Sequence, residues 1–220
     1  MYDIRLKENF KIFVSGPSRC GKTTFVVDLM ENIFNISSVP PTFIIYVYKI
    51  WQHKFDEMSK VDIFIEDDDE SIVDKIKGYA RGEPLLIIFD DLINSKSLPN
   101  IAPMFNVDGR HLNISLIFLS QRLFVNDEHF RQISQNCDYF VSQNCDYFVL
   151  FKNPRNSSEI RTLANQMTPS TLHLVNIYLE ATRNPFSYLL INLTQEASKE
   201  TKYLSELFTN DFRVKSFVEL

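Results

Sequence analysis

A chain of 220 residues, 45% hydrophobic and 23% charged, has the make-up of a folded globular domain and can bury roughly 70% of the surface its unfolded form exposes. This excludes a disordered tail, a collagen and a coiled-coil rod, and the length favours a single domain over residues 1–220. A net charge of −5 excludes a nucleic-acid binder that works by bulk positive charge, so any DNA contact must come from a local patch or from assembly.

The longest uninterrupted apolar stretches, such as Phe43 to Val47 and Leu85 to Phe89, are far shorter than the ~20 residues of a spanning helix. Met1-Tyr2-Asp3-Ile4-Arg5 lacks the basic flank and apolar stretch of a signal peptide. Three cysteines without such a signal read as reduced thiols, and no Cys/His pair has zinc-finger spacing. The expectation is a protein that is neither secreted nor membrane-bound.

In chain order, Phe10 to Ser15 reads as a short strand leading into a glycine turn and an apolar-periodic helix from Thr23 to about Phe34. Pro40-Pro41 resets the chain before a buried strand, Thr42 to Tyr48. A polar helix is expected around Trp51 to Met58, then a short strand near Asp62 to Ile65. The acidic run Glu66 to Glu70 reads as a solvated loop before a helix over Ser71 to Tyr79, whose amino-terminal dipole favours carboxylates. Leu85 to Phe89 and Ser115 to Leu119 are continuous apolar strands, ending in Asp90-Asp91 and Ser120-Gln121. Tyr147 to Phe151 and Tyr188 to Ile191 complete the strands, with helices at Glu128 to Ile133, Ser158 to Met167 and Ser170 to Ala181. Apolar strands alternating with helices predict an α/β fold, a mostly parallel sheet with helices on both faces. No linker rich in Gly, Pro or Ser divides it.

One octapeptide is repeated. Ser-Gln-Asn-Cys-Asp-Tyr-Phe-Val occupies Ser134 to Val141 and again Ser142 to Val149. Two copies of so short a unit do not make a solenoid; they mark a local duplication. The second copy runs on through Leu150 and Phe151 without a polar break, whereas Ser142 and Gln143 interrupt the first. The second copy is therefore expected in the sheet, and the first in a helix extension or surface loop.

The sharpest motif is Gly16-Pro17-Ser18-Arg19-Cys20-Gly21-Lys22-Thr23, a match to G-x-x-x-x-G-K-[ST] between a strand and a helix. Its glycines let backbone N–H groups close around phosphate, and the helix amino terminus adds a positive dipole end. Lys22 is expected to face solvent until it meets the β- and γ-phosphates of ATP, with Thr23 ligating Mg²⁺ and Gly16 to Thr24 forming the nucleotide cradle. Leu85 to Phe89 then delivers Asp90 and Asp91 to a strand end. Asp90 is the candidate for the metal and Asp91 for orienting an attacking water. Gln121 ends the next strand, where an amide suits the γ-phosphate or the lytic water; a loop residue with no such role fits equally well. Hydrolysis between subunits needs a cation for transition-state charge, and Arg131 and Arg155 are the candidates. Each also reads as an ordinary surface arginine. Trp51, with Tyr46, Tyr48 and Phe55, reads as an aromatic contact between helix and sheet.

With these elements in order, the chain resembles the viral-type DNA-packaging ATPases of Maverick/Polinton elements and poxvirus-like viruses, within the FtsK/HerA group of P-loop ATPases. The resembling residues are Gly16 to Phe25, Ile87 to Leu92, Gly109 to His111, Ile114 to Phe124, Phe148 to Arg155 and Ile160 to Ala164. The resemblance implies a RecA-like sheet with the Gln121 strand between those of Lys22 and Asp90. It implies an Mg²⁺-dependent ATPase, a homo-oligomeric ring that moves double-stranded DNA into a capsid, and contacts with capsid proteins. It also implies a place in the host nucleus or cytoplasm and in the virion. The wider group has Glu after the metal-binding Asp; here Asp91 is one methylene shorter, as in the packaging subgroup. A small nucleotide kinase is the enzyme alternative, but it needs an arginine-bearing lid, and Leu123 to Phe130 has no arginine. A catalytically impaired nucleotide-binding scaffold is the other, should the duplication damage the site. No Asn-Lys-x-Asp or Leu-Ser-Gly-Gly run supports a GTPase or an ABC ATPase.

Overall fold

The computed structural model describes residues 5–67, 71–80, 82–92, 95–105, 112–124, 145–155, 157–168, 170–208 and 214–218. Its strands are β1 (Lys11–Ser15), β2 (Phe43–Tyr48), β3 (Ile63–Glu66), β4 (Leu85–Asp90), β5 (Ile114–Ser120), β6 (Tyr147–Phe151), β7 (Tyr188–Asn192), β8 (Tyr203–Ser205) and β9 (Lys215–Ser216). They form one sheet in the order β3-β2-β4-β5-β1-β6-β7-β8-β9. Every pairing from β3 to β6 is parallel, and β7, β8 and β9 add antiparallel strands at one side. This is a RecA-like α/β P-loop NTPase fold.

The central strands are apolar throughout because both faces are covered. On one face Ile12, Val14, Ile88, Ile117 and Val149 pack with Phe25, Val26, Leu29 and Met30 of helix α1 (Lys22–Glu31). A short α2 (Ile33–Ile36) follows. On the other face Phe13, Ile87, Phe118 and Phe148 meet Ile72 and Ile76 of α3 (Ile72–Lys77) and Leu98 and Ile101 of α4 (Leu98–Ile101). The same layer takes in Ile160 and Leu163 of α5 (Ser157–Met167) and Leu174 and Ile177 of α6 (Thr171–Ala181). A last short helix, α7 (Lys199–Lys202), opens with a reciprocal Ser198–Thr201 capping box.

Several boundaries differ from the sequence expectation. Helix α1 stops at Glu31, short of Phe34, because Asn32 Nδ2 donates to the Asp28 carbonyl at 2.8 Å and satisfies an end the helix would otherwise continue. The polar helix expected over Trp51 to Met58 shrinks to a 3₁₀ stretch, His53–Glu57. Phe55 is buried there against Tyr46, Tyr48, Trp51 and Phe64, so the segment is shaped by ring packing rather than by helical periodicity. The acidic run is not all solvated loop: Glu66 ends β3, and Asp67 accepts a hydrogen bond from the Ser95 hydroxyl. The expected helix Glu128 to Ile133 and the first octapeptide copy lie outside the described residues. The second copy supplies Tyr147 to Val149 of β6, with Cys145 buried just ahead of it.

Candidate functional site

Parallel register places the chemistry on one edge. Ser15 of β1 pairs with Ser120 of β5, and Asp90 of β4 with Leu119, so the loop after Ser15, the Asp90-Asp91 pair and Gln121 all emerge at the carboxyl ends. β5 lies between β1 and β4, the order the resemblance implies. Open α/β sheets bind their ligands at this edge.

The glycine loop is tightly wound. A β-carbon on Gly16 would lie 2.6 Å from both Cys20 Sγ and Phe151 Cβ, so only glycine fits there. Arg19 and Gly21 hold positive φ values of 64° and 111°, turning the backbone into α1. The first turn of α1 carries no acidic side chain, leaving its positive dipole end uncompensated for an anion. Lys22 does not face solvent. It is buried, and its Nζ donates to the carbonyls of Gly16 (2.6 Å) and Pro17 (3.0 Å). Its flexible four-carbon stem lets the ammonium fold back over its own loop, where two carbonyls take its donors. Burial pushes the Cys20 thiol up, partly offset by the neighbouring Lys22 charge.

Asp90 is buried, and the Tyr46 hydroxyl donates to its Oδ2 at 2.9 Å. Tyr46 pairs with Ile88 across the β2–β4 ladder and so shares the α1 face with Asp90, two residues on. Burial raises the Asp90 carboxyl above the usual range and the Asp91 charge adds to this, while the Tyr46 hydrogen bond and Lys22 pull it down. A dry carboxylate with one oxygen fixed suits a hard cation. Among the described residues no three His, Cys, Asp or Glu side chains converge on a metal position. Asp90 and the Thr23 hydroxyl at the start of α1 are the residues that would hold Mg²⁺, a hard cation that takes few protein oxygens beside those of phosphate and water. The residues fit Mg²⁺-ATP.

Asp91 is exposed and leaves the strand with φ 57°, a left-handed turn that Asp tolerates and that re-aims its side chain. Gln121 Nε2 donates to Asp91 Oδ2 at 2.5 Å, and Ser18 Oγ donates to Gln121 Oε1 at 3.1 Å. Gln121 therefore bridges the loop and the second carboxylate. Its partner Ser18 was among the cradle residues, but nothing in the spacing announced this bond. Thr24 accepts from Lys54 Nζ at 2.5 Å, a second lysine at the first turn of α1.

Beside the loop lies an open cleft of about 1010 Å³, walled by Pro17 to Arg19, Gln121, Arg122, Phe124, Asn153 to Arg155 and Glu159. Arg155 thus stands on the same cleft as Ser18 and Gln121, exposed, with its backbone N–H donating to Asn153 Oδ1 at 3.2 Å. Arg131 lies outside the described residues. Sequence reasoning missed Tyr46, Lys54 and Arg122. Tyr46 was legible only as an aromatic; its role needs the knowledge that β2 neighbours β4.

The poxvirus A32 protein family matches residues 1–163 of the chain. No curated protein matches it. Among solved structures, ATPases 2 and 3 of Thermomonospora curvata EccC, in complex with a signal sequence peptide, align at 14% identity and TM-score 0.47, over 65% of this chain and 30% of that one. The cytoplasmic domain of EssC aligns at 15% identity and TM-score 0.48, over 70% and 33%. The N-terminal domain of zonular occludens toxin from Neisseria meningitidis aligns at 16% identity and TM-score 0.38, over 68% and 80%. The chain spans about a third of the length of the first two. By the family match, which covers most of its length and takes in the glycine loop, Asp90-Asp91 and Gln121, the chain belongs to the poxvirus A32 protein family, within the broad P-loop ATPase superfamily.

Proposed function

We propose that the protein is an Mg²⁺-dependent ATPase that acts as a motor on double-stranded DNA, in a homo-oligomeric ring that fills a viral or virus-like capsid. One observation carries this reading above all: the Ser18–Gln121–Asp91 hydrogen-bond chain, which ties the phosphate loop to the carboxylate beside the buried Asp90. Gly16 to Thr24 cradle the nucleotide, Lys22 exchanges its two carbonyl partners for phosphate oxygens, and Thr23 and Asp90 hold the metal. Bound Mg²⁺ supplies charge neutralisation at the phosphates. Asp91 orients and deprotonates water, and Gln121 reports its state to the loop through Ser18.

Arg155, which lines the cleft beside the loop, and Arg131 are the two candidates to offer charge to a neighbouring subunit's site. The single-domain reading of residues 1–220, the capsid partners and a location in the host nucleus or cytoplasm and in the virion belong to the same proposal. The described residues contain no helix long and apolar enough to cross a membrane. The net charge of −5 makes weak DNA binding by a lone subunit part of it too. The test is ATP hydrolysis by purified protein with and without double-stranded DNA. DNA should raise turnover; turnover indifferent to DNA at every protein concentration would contradict the motor assignment.

A further inference from the structure

Phe186 stands out among the exposed residues. It is 71% exposed and holds φ 63°, a left-handed backbone that a bulky side chain rarely adopts. It occupies the third position of the turn Asn184-Pro185-Phe186-Ser187, which Ser187 closes by donating its N–H (3.4 Å) and its hydroxyl (2.7 Å) to the Asn184 carbonyl. Proline at the second position and a positive φ at the third is a pattern whose usual third residue is glycine. The chain instead places a large aromatic there, strained and largely uncovered. Strain of this kind collects at functional sites.

Its location gives the strain a purpose. β7 runs antiparallel to β6, so Tyr188 pairs with Phe151 and the turn before it lies on the same sheet edge as the glycine loop. Phe186 flanks that loop directly: a β-carbon built on Gly21 would meet Phe186 Cβ and Cδ1 at 3.7 Å each. In the sheet order, Asp91 and Gln121 lie to one side of the loop, at β4 and β5, and Phe186 lies to the other, at β7. If the phosphate chain points its reacting end at Asp91 and Gln121, the nucleoside must leave the loop on the β6–β7 side. Phe25, Phe151 and Tyr188 form an aromatic cluster beneath that side.

We infer that Phe186 is the stacking surface for the purine base of the bound nucleotide. The inference rests on the ATP-site reading above and adds the base subsite to it. A phenyl face offers no hydrogen-bond edge, so it holds a base by stacking and discriminates little between adenine and guanine.

The experiment compares binding of ATP, GTP and inorganic tripolyphosphate by calorimetry, using the full chain, Phe186→Gly, Phe186→Trp and Lys22→Ala. Phe186→Gly should weaken ATP and GTP about tenfold or more, leave tripolyphosphate unchanged, and melt at or above the parent temperature because its φ suits glycine. Phe186→Trp should retain ATP affinity. Lys22→Ala should weaken all three ligands. Unchanged ATP affinity in Phe186→Gly, with Lys22→Ala impaired, would overturn the base subsite and leave the phosphate site standing. Equal loss of ATP and tripolyphosphate, or a fall in melting temperature alongside affinity, would make Phe186 a structural residue and also overturn it. A parent chain that binds neither ATP nor tripolyphosphate would refute the ATP-site reading, and this inference with it.

Discussion

Tyr46 holds one oxygen of Asp90 from a position with no solvent access, so the carboxylate is fixed before any cation arrives. A hydrogen bond to a charged buried group is worth roughly 1.5–3 kcal/mol. Tyr46→Phe should therefore lower unfolding free energy by about that amount, measured by urea titration, and raise the Mg²⁺ concentration needed for half-maximal turnover. A loss of stability with no change in Mg²⁺ dependence would limit Tyr46 to packing. Asp91 stands in a different environment, exposed and paired with Gln121. Asp91→Asn should keep nucleotide affinity and slow single-turnover hydrolysis by roughly 10² to 10⁴. Normal hydrolysis by that variant would assign water activation to another group.

The elements make their own prediction through the duplicated octapeptide. The second copy builds β6, and burial beside Asp146 pushes the Cys145 thiol far up. Alkylation proceeds through the thiolate, so Cys145 should stay unmodified in the native protein until it unfolds. Cys20, only partly covered in the glycine loop, should react sooner and be protected by ATP. Mass spectrometry after brief labelling reads both sites. Rapid labelling of Cys145 would show that the second copy does not hold the sheet position.

Much of this architecture was legible because fully buried strands declare themselves as unbroken apolar runs. Leu85 to Phe89 and Ser115 to Leu119 were found for that reason, and their polar ends then pointed to Asp90 and Gln121. The short strands β8 and β9 were not: three and two residues carry no periodicity, so only their neighbours in the sheet reveal them. The same limit hid Tyr46. A cross-strand hydrogen bond depends on which strands are neighbours, and the resemblance orders the strands of Lys22, Gln121 and Asp90 but not β2. Lys22 is buried for another reason: the motif specifies the residue type, while the loop's own carbonyls set where its ammonium lies.

At the scale of the whole molecule, the cleft lined by Arg19, Arg122 and Arg155 opens outward on an otherwise acidic protein. Arginine supplied between subunits is worth roughly 10³ to 10⁵ in rate. Turnover per subunit should rise with protein concentration or with DNA, and Arg155→Ala should remove that rise while preserving nucleotide binding. A concentration-dependent rise that survives Arg155→Ala would move the role to Arg131 or elsewhere.

Everything proposed for the carboxyl edge requires that it hydrolyse ATP. Phosphate release from Mg²⁺-ATP, measured side by side for the parent chain and for Lys22→Ala with matched circular dichroism, tests this most directly. The parent should turn over only with Mg²⁺, and Lys22→Ala should fall by about 10² or more without unfolding. Equal turnover by the two proteins, or none by a folded and assembled parent, would contradict it.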